Sequence, residues 1–228
     1  MNLQNKTAFI TGSSRGIGQQ IALGLAEKGC NLIIHGRQKE NTQTTLNLLK
    51  DFSVKVDVVY GDLASKSETK KLIQQLEDLN TPIDILYNNA GWMTDYRPDY
   101  WSHTAADWEK SMRINVFAVY ELCAVLIPKM LANGFGRVVN LVSGIQDQPE
   151  LSPYSTSKAA LAKLTEDLAV KFTETPVRIN ALDPGWLQTD LGGEYAEHPV
   201  EAVMPGALQP ALIEDDGPNG KTFFALEA

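Results

Sequence analysis

Near the N-terminus a short apolar run, Thr7 to Thr11, meets Gly12-Ser13-Ser14-Arg15-Gly16-Ile17-Gly18, and an amphipathic stretch then continues to about Lys28. So many glycines between a strand-like run and a helix-like one leave the backbone few options. It must turn sharply from strand into helix, and such a turn presents backbone N–H groups and a helix N-terminus to whatever sits above it. That arrangement suits phosphate.

The same alternation repeats along the chain. Asn31 to His35 reads as a strand followed by Gly36-Arg37, and a helical stretch covers about 41–51. Val54 to Tyr60 reads as a third strand ending in Gly61-Asp62-Leu63, and Ser65 to Glu68 has the capping-box form that opens a helix to about Leu79. Pro82 to Tyr87 is a fourth strand that runs into Asn88-Asn89-Ala90-Gly91. After an irregular, aromatic-rich stretch from Trp92 to His103, Thr104 to Asp107 looks like the start of a long helix reaching about Leu131, closed by Gly134 and Gly136. Arg137 to Val142 is a fifth strand closing on Ser143. A helix then runs from Ser152-Pro153 to about Phe172, and a sixth strand, Val177 to Leu182, ends at Asp183-Pro184-Gly185. Beyond Thr189 the chain is rich in Pro, Gly and acidic residues until Lys221 to Leu226, which reads as a last strand.

Strands alternating with helices predict an α/β fold: a doubly wound parallel sheet with helices on both faces. With 228 residues and 43% hydrophobic content, residues 1–228 suit one domain with a sizeable core. In such sheets ligands bind beyond the carboxyl ends of the strands. The loops 12–18, 36–37, 62–63, 89–91, 143 and 184–189 all fall at that end.

Composition narrows the partners. A formal charge of −8 argues against nucleic acid or an anionic membrane as the main partner, so an anionic ligand must be held by locally placed cations. The first residues carry no basic-then-apolar signal pattern, and no apolar run approaches membrane-spanning length. Cys30 and Cys123 are far apart and lack ligand spacing, which predicts no metal site, no disulfide framework and a reducing, cytoplasmic compartment.

One pair stands out for chemistry. Tyr154 and Lys158 are four apart on a helix and therefore share a face. Ser152 suits the N-cap of that helix and Pro153 its first position. Bringing a free tyrosine from a pKa of about 10 to neutrality takes about 4 kcal/mol. A cation about 4 Å away at an effective dielectric of about 20 supplies a term of that size. Bland readings remain for several neighbours: Ser143 as a turn serine, Asn115 satisfying its amide on backbone, His35 as structural, Trp108 as core, Asp190 and His198 as solvated.

Taken together and in order, Thr11 to Gly18, Asp62-Leu63, Asn88 to Gly91, Asn115, Ser143, Tyr154 with Lys158, and Arg178 to Gly185 resemble the short-chain dehydrogenase/reductase family over about residues 5–190. The resemblance implies hydride transfer between a nicotinamide cofactor and a small-molecule carbonyl or alcohol. Tyr154 would exchange the proton, Lys158 would hold the nicotinamide ribose, Ser143 would orient the substrate oxygen, and Asn115 would hold a relay water. The cofactor would meet Gly12, Ser14, Arg15, Gly16, Ile17, Gly18, Asp62, Leu63, Asn89, Ala90, Gly91, Pro184, Gly185 and Thr189, besides Tyr154 and Lys158. NAD-preferring members carry an acid at the end of the second strand; here Gly36 stands there, with Arg37 beside it and Arg15 in the glycine loop, which favours NADP(H).

The departures shape the remaining expectations. Ser143 and Tyr154 are eleven residues apart, shorter than usual, and Asp215 to Gly220 resembles the tail of the carbonyl-reductase-like branch. A substrate lid is expected over about 186–213. Walls from Trp92–Trp101, Gly144–Leu151 and Trp186–Met204 predict mostly apolar ketones or aldehydes, with Arg97 the one basic residue in the first and third walls. Ala118, Ala124, Ala160 and Ala162 suit close helix approach, so a homodimer or homotetramer is expected. The alternative, a catalytically silent NADP-binding regulator on the same fold, would require damage to Asn115, Ser143, Tyr154 or Lys158, and none is seen.

Overall fold

Every residue of β1 (Thr7–Ile10) is buried, with Phe9 turned to one side of the sheet and Ala8 and Ile10 to the other. A strand buried on both faces needs a layer on each side, and the rest of the chain supplies them. In the computed structural model, which describes residues 1–227, the chain continues through α1 (Gly16–Glu27), β2 (Asn31–Gly36), α2 (Gln43–Leu49), β3 (Val56–Tyr60), α3 (Lys66–Asp78), β4 (Ile85–Asn88), α4 (Ala105–Met112) and α5 (Ala118–Ala132). There follow β5 (Gly136–Leu141), α6 (Ser152–Lys171), β6 (Val177–Asp183), the short β7 (Leu187–Gln188) and β8 (His198–Pro199), α7 (Gln209–Leu212) and β9 (Thr222–Phe224).

The main sheet has seven strands in the order β3-β2-β1-β4-β5-β6-β9, every pair parallel. On one face Ile21 and Leu25 of α1 pack with Ile10, Ile34 and Val139. On the other, Leu72 of α3, Leu122 and Leu126 of α5 and Leu161 of α6 pack with Phe9, Ile33 and Val138. The expected doubly wound sheet with helices on both faces is therefore what forms. β1 is flanked by β2 on one side and β4 on the other, so the strand order reverses there and the loops after β1 and β4 open a crevice.

Local differences from the sequence reading have local causes. A 3-10 turn at Lys39–Thr42 takes the first residues expected of α2, and the bend at 51–54 delays β3 to Val56. Ser152 does not cap α6. The helix already includes it, a 3-10 turn at Pro149–Leu151 precedes it, and its hydroxyl donates back to the Pro149 carbonyl at 2.6 Å. The Thr104–Asp107 capping box forms as read, whereas at α3 only Ser65 caps Glu68, whose own carboxylate reaches the Asp62 N–H at 2.6 Å instead.

α4 and α5 are one long helix interrupted by a π turn, Arg113–Phe117, centred on Asn115; such turns commonly mark functional positions. Although no apolar run was expected to approach membrane-spanning length, an 18-residue stretch within Ala105–Ala132 reaches a mean hydropathy of 1.7, apolar enough by composition alone to cross a membrane. More than half of that apolar stretch, 56%, is buried inside the fold, where it forms the core face described above. Within 186–213, Val203, Ala207, Leu208 and Ala211 lie in the core beside α1; only Trp186 to Gly192 and Val200 face the crevice.

Candidate functional site

Hydrogen bonds tie the loops around the crevice to one another. Thr11 Oγ1 accepts the N–H groups of Asn89 and Ala90, each at 3.0 Å, and Asn89 Nδ2 donates to the carbonyls of Thr11 and Gly12 at 2.9 and 3.1 Å. There is no room for a side chain between them: a Cβ on Gly18 would stand 2.5 Å from both Asn89 Nδ2 and the Gly12 carbonyl. His35, at the end of β2, links a third strand. Its Nδ1 accepts the Gly12 N–H at 2.9 Å, so its Nε2 carries the proton and donates to the Gly61 carbonyl at 3.0 Å. Burial pushes this imidazole down to about 4. Its structural reading holds, and it fixes the shape of the glycine loop.

The crevice opens into a cavity of about 1170 Å³. Lining it are Gly12, Ser14, Arg15, Gly16, Ile17, Arg37, Asp62, Leu63, Asn89, Ala90, Gly91, Ser143, Tyr154, Lys158, Pro184, Gly185 and Thr189. Two sequence-expected residues lie behind the lining. Gly18 is the contact just described, and Asn115 is wholly buried with its amide already engaged: Oδ1 accepts the Trp92 N–H, and Nδ2 donates to the Trp92 carbonyl and to Ser157 Oγ. Asn115 thus pins the segment after β4 to α6, and Ser157, which also donates to the Tyr154 carbonyl at 2.7 Å, completes that link.

Tyr154 is 7% exposed and Lys158 5%, both facing the cavity. The electrostatics differ from the sequence-level argument. Lys158 Nζ donates to the Leu141 carbonyl at 2.6 Å and sits 5.8 Å from the centre of the Tyr154 ring. Burial pushes the Tyr154 phenol up to about 12; the Ser143 hydroxyl pulls it down and the Asp183 carboxylate pushes it further up. Burial brings Lys158 down to about 8, with Asp183 opposing. At neutral pH the phenol holds its proton and the amine its charge.

Asp183 acts on both groups, and only its place in the Asp-Pro-Gly turn marked it beforehand. One carboxylate oxygen accepts the Gly185 N–H at 2.9 Å. The other lies under Gly144, where an added Cβ would be 2.7 Å from it. At the opposite end of the cavity Arg37 is exposed, and Arg15 Nε meets Asp190 Oδ2 at 2.6 Å across the crevice, so Asp190 is paired as well as solvated. Two guanidinium groups, no carboxylate at Gly36 and a glycine loop closed over N–H groups are a donor set that fits the phosphates of a dinucleotide. Ser143, Tyr154 and Lys158 lie at the other end, where a reacting group would sit.

Comparison with known proteins decides what family uses this arrangement. The short chain dehydrogenase family profile matches residues 6–200. The chain belongs to the short-chain dehydrogenase/reductase family. It is 31% identical over 218 residues to an uncharacterized oxidoreductase of Staphylococcus aureus, covering 92% of this chain and 90% of that one. To an uncharacterized oxidoreductase of Thermotoga maritima it is 33% identical over 192 residues, 83% of this chain and 75% of the relative. Among solved structures it resembles an NADP-bound 3-oxoacyl (acyl-carrier-protein) reductase of Agrobacterium tumefaciens, with 29% identity, TM-score 0.85, and 98% and 93% of the two chains covered. It also resembles a gluconate 5-dehydrogenase of Burkholderia cenocepacia in complex with NADP and tartrate, with 28% identity, TM-score 0.84, and 98% and 94% covered. The chain is thus an oxidoreductase of this family, with NADP-bound structural neighbours.

The Ser143 end of the cavity is less apolar than its sequence suggested. Trp92, Tyr96 and Trp186 line the cavity, but Tyr100 and Trp101 stack edge to face at 4.9 Å away from it, Trp101 being 86% exposed. Arg97 turns to Asp107 at 3.1 Å and to the Ser102 carbonyl. Polar side chains that do line the cavity are Gln146, Gln148 and Lys110, and the last of these the sequence reading missed entirely.

Proposed function

We propose that this protein is an NADP(H)-dependent oxidoreductase that interconverts a carbonyl compound and its alcohol. The observation that carries the reading is the convergence of Ser143, Tyr154 and Lys158 on the same cavity that the glycine loop lines. When bound, the nicotinamide supplies or accepts the hydride. The chain's residues do the rest. Ser143 donates a hydrogen bond to the substrate oxygen and fixes its direction. Tyr154, protonated at neutral pH, delivers its proton to that oxygen in reduction and takes it back in oxidation. Lys158 holds ribose hydroxyls and offers the nearby positive charge, and Asn115, through Trp92 and Ser157, keeps this side of the site in register.

Arg37, together with Arg15 once it leaves Asp190, takes the 2′-phosphate of NADP(H). The free thiols of Cys30 and Cys123, both buried, suit a reducing cytoplasm. Phe117 and Tyr120 on the long helix and Val170 on α6 are exposed, which supports a homo-oligomer joined through those helices; Ala118, by contrast, is buried in the core. The test is direct. NADPH consumption is followed by loss of nicotinamide absorbance over a panel of ketones and aldehydes. Tyr154→Phe should abolish turnover while NADPH affinity stays within a few-fold, and near-normal turnover by that variant refutes the mechanism.

A further inference from the structure

Four cations line the cavity: Arg15, Arg37, Lys110 and Lys158. Three have work already, Arg15 and Arg37 at the phosphate end and Lys158 beside Tyr154. Lys110 has none. Among the described residues it makes no ion pair, and its Nζ rests 4.4 Å from the centre of the Trp92 ring. A lysine in the last turn of a helix ordinarily complements the helix dipole. That explanation fails here, because α4 runs on through the π turn into α5 and has no free C-terminus. The Trp92 face attracts the exposed ammonium by cation–π interaction without neutralising it, so a positive charge stands on the cavity wall.

The charge has a counterpart. Asp183 at the end of β6 and Trp92 after β4 stand on either side of the end of β5, where Ser143 lies. The substrate end is therefore negative on one side of the reacting position and positive on the other. Lys110 is also one helical turn from Ile114, which lines the cavity next to Asn115; that places it about 6 Å further along the helix. Resting on the function proposed above, we infer that Lys110, seated on Trp92, binds an anionic substituent of the substrate, a carboxylate or phosphate, separated from the reacting carbonyl by a few atoms. An anion directly attached to the carbonyl would lie beside Asp183 and be repelled. This replaces the apolar ketone expected from sequence with a keto compound bearing a remote anion.

The experiment compares levulinate with its methyl ester, dihydroxyacetone phosphate with dihydroxyacetone, and pyruvate as the keto acid with no spacer, all with NADPH. In the wild type the spaced anions should have the higher kcat/KM within each pair, and raising the salt should erode that advantage. Lys110→Met should cut the anion-to-neutral ratio about five-fold, the size of a partly exposed charge pair, and Lys110→Arg should restore most of it. Which pair shows the larger loss distinguishes carboxylate from phosphate. Binding of levulinate read by tryptophan fluorescence should weaken in the same variant, independently of turnover. Neutral ketones reduced with no preference for their anionic partners, a ratio unmoved by Lys110→Met, or pyruvate as the best substrate each overturns the inference while leaving the carbonyl chemistry standing. Failure of every ketone and aldehyde with NADPH refutes the proposed function itself, and this inference with it.

Discussion

Acid should loosen this protein through His35 before it reaches the carboxylates. The imidazole is 2% exposed, accepts the Gly12 N–H on Nδ1 and donates to the Gly61 carbonyl from Nε2. Protonation would set a second N–H against the Gly12 N–H, in a buried site. Its pKa of about 4 in the fold, against 6.5 when unfolded, means that the folded state binds fewer protons between those values. Stability is then complete above pH 6.5 and is lost as pH falls towards 4. A lowering of about 2.5 pH units corresponds to about 3 kcal/mol, a large share of a typical domain's stability. Urea unfolding at a series of pH values between 7 and 4, on wild type and on His35→Asn, tests this. The variant should lose about 1–3 kcal/mol at neutral pH, from unpaired backbone groups, yet show a shallower fall as pH drops. Carboxylate titration is common to both proteins and cancels in the difference. Parallel pH dependences for the two would refute the assignment of the neutral tautomer and its role.

Three further outcomes follow from the site. Arg37→Asp should weaken NADPH binding far more than NADH binding, since it removes a cation and adds a repelling charge; equal weakening in fluorescence titrations would remove Arg37 from the phosphate site. Gly18→Ala should cost about 1–3 kcal/mol of stability and weaken NADPH, because its Cβ would stand 2.5 Å from the Gly12 carbonyl; a wild-type urea midpoint would contradict that contact. Asp183→Asn should move the alkaline limb of the kcat/KM profile for reduction to lower pH, since the carboxylate raises Lys158, whose ammonium is lost at about 8 with Asp183 in place; a limb that stays put or moves up would contradict the coupling.

Much of the fold was legible because parallel strands and glycine turns leave strong local marks. β1, β4, β5 and β6 are runs of buried residues bounded by glycine or polar turns, so their positions could be read within a residue or two, except that β4 begins at Ile85 rather than Pro82. What escaped was set by competition among neighbours rather than by propensity. Ser152 had the chemistry of a cap, but it already has helical backbone inside α6 and its hydroxyl donates to the Pro149 carbonyl. Glu68 had the spacing of a capping box, but the Asp62 N–H was the better partner. Residues 203–211 read as part of a substrate lid because the prolines and glycines there break up a short apolar pattern, yet Val203, Leu208 and Ala211 close the core over α1. Lys110 escaped for a different reason: its meaning depends on an absence, that of a carboxylate partner, which a sequence does not display.

The Tyr154–Lys158 pair shows where spacing stops being informative. Four residues on a helix guarantee a shared face, but not that the two charged ends meet. Lys158 is long enough to choose, and it donates to the Leu141 carbonyl at 2.6 Å. Burial then acts against both ionised forms, pushing the phenol up to about 12 and the amine down to about 8, while Asp183 favours protonation of each. The group that opposes this at the phenol is Ser143, the residue that would also hold the substrate oxygen. Under the function proposed here, the same hydroxyl that orients the carbonyl is the one that eases the proton off Tyr154. Under that function, one hydroxyl touches both the phenol and the oxygen that receives its proton. Under the function proposed here, a phenol that keeps its proton at neutral pH is the form that reduction uses, and oxidation uses the phenolate.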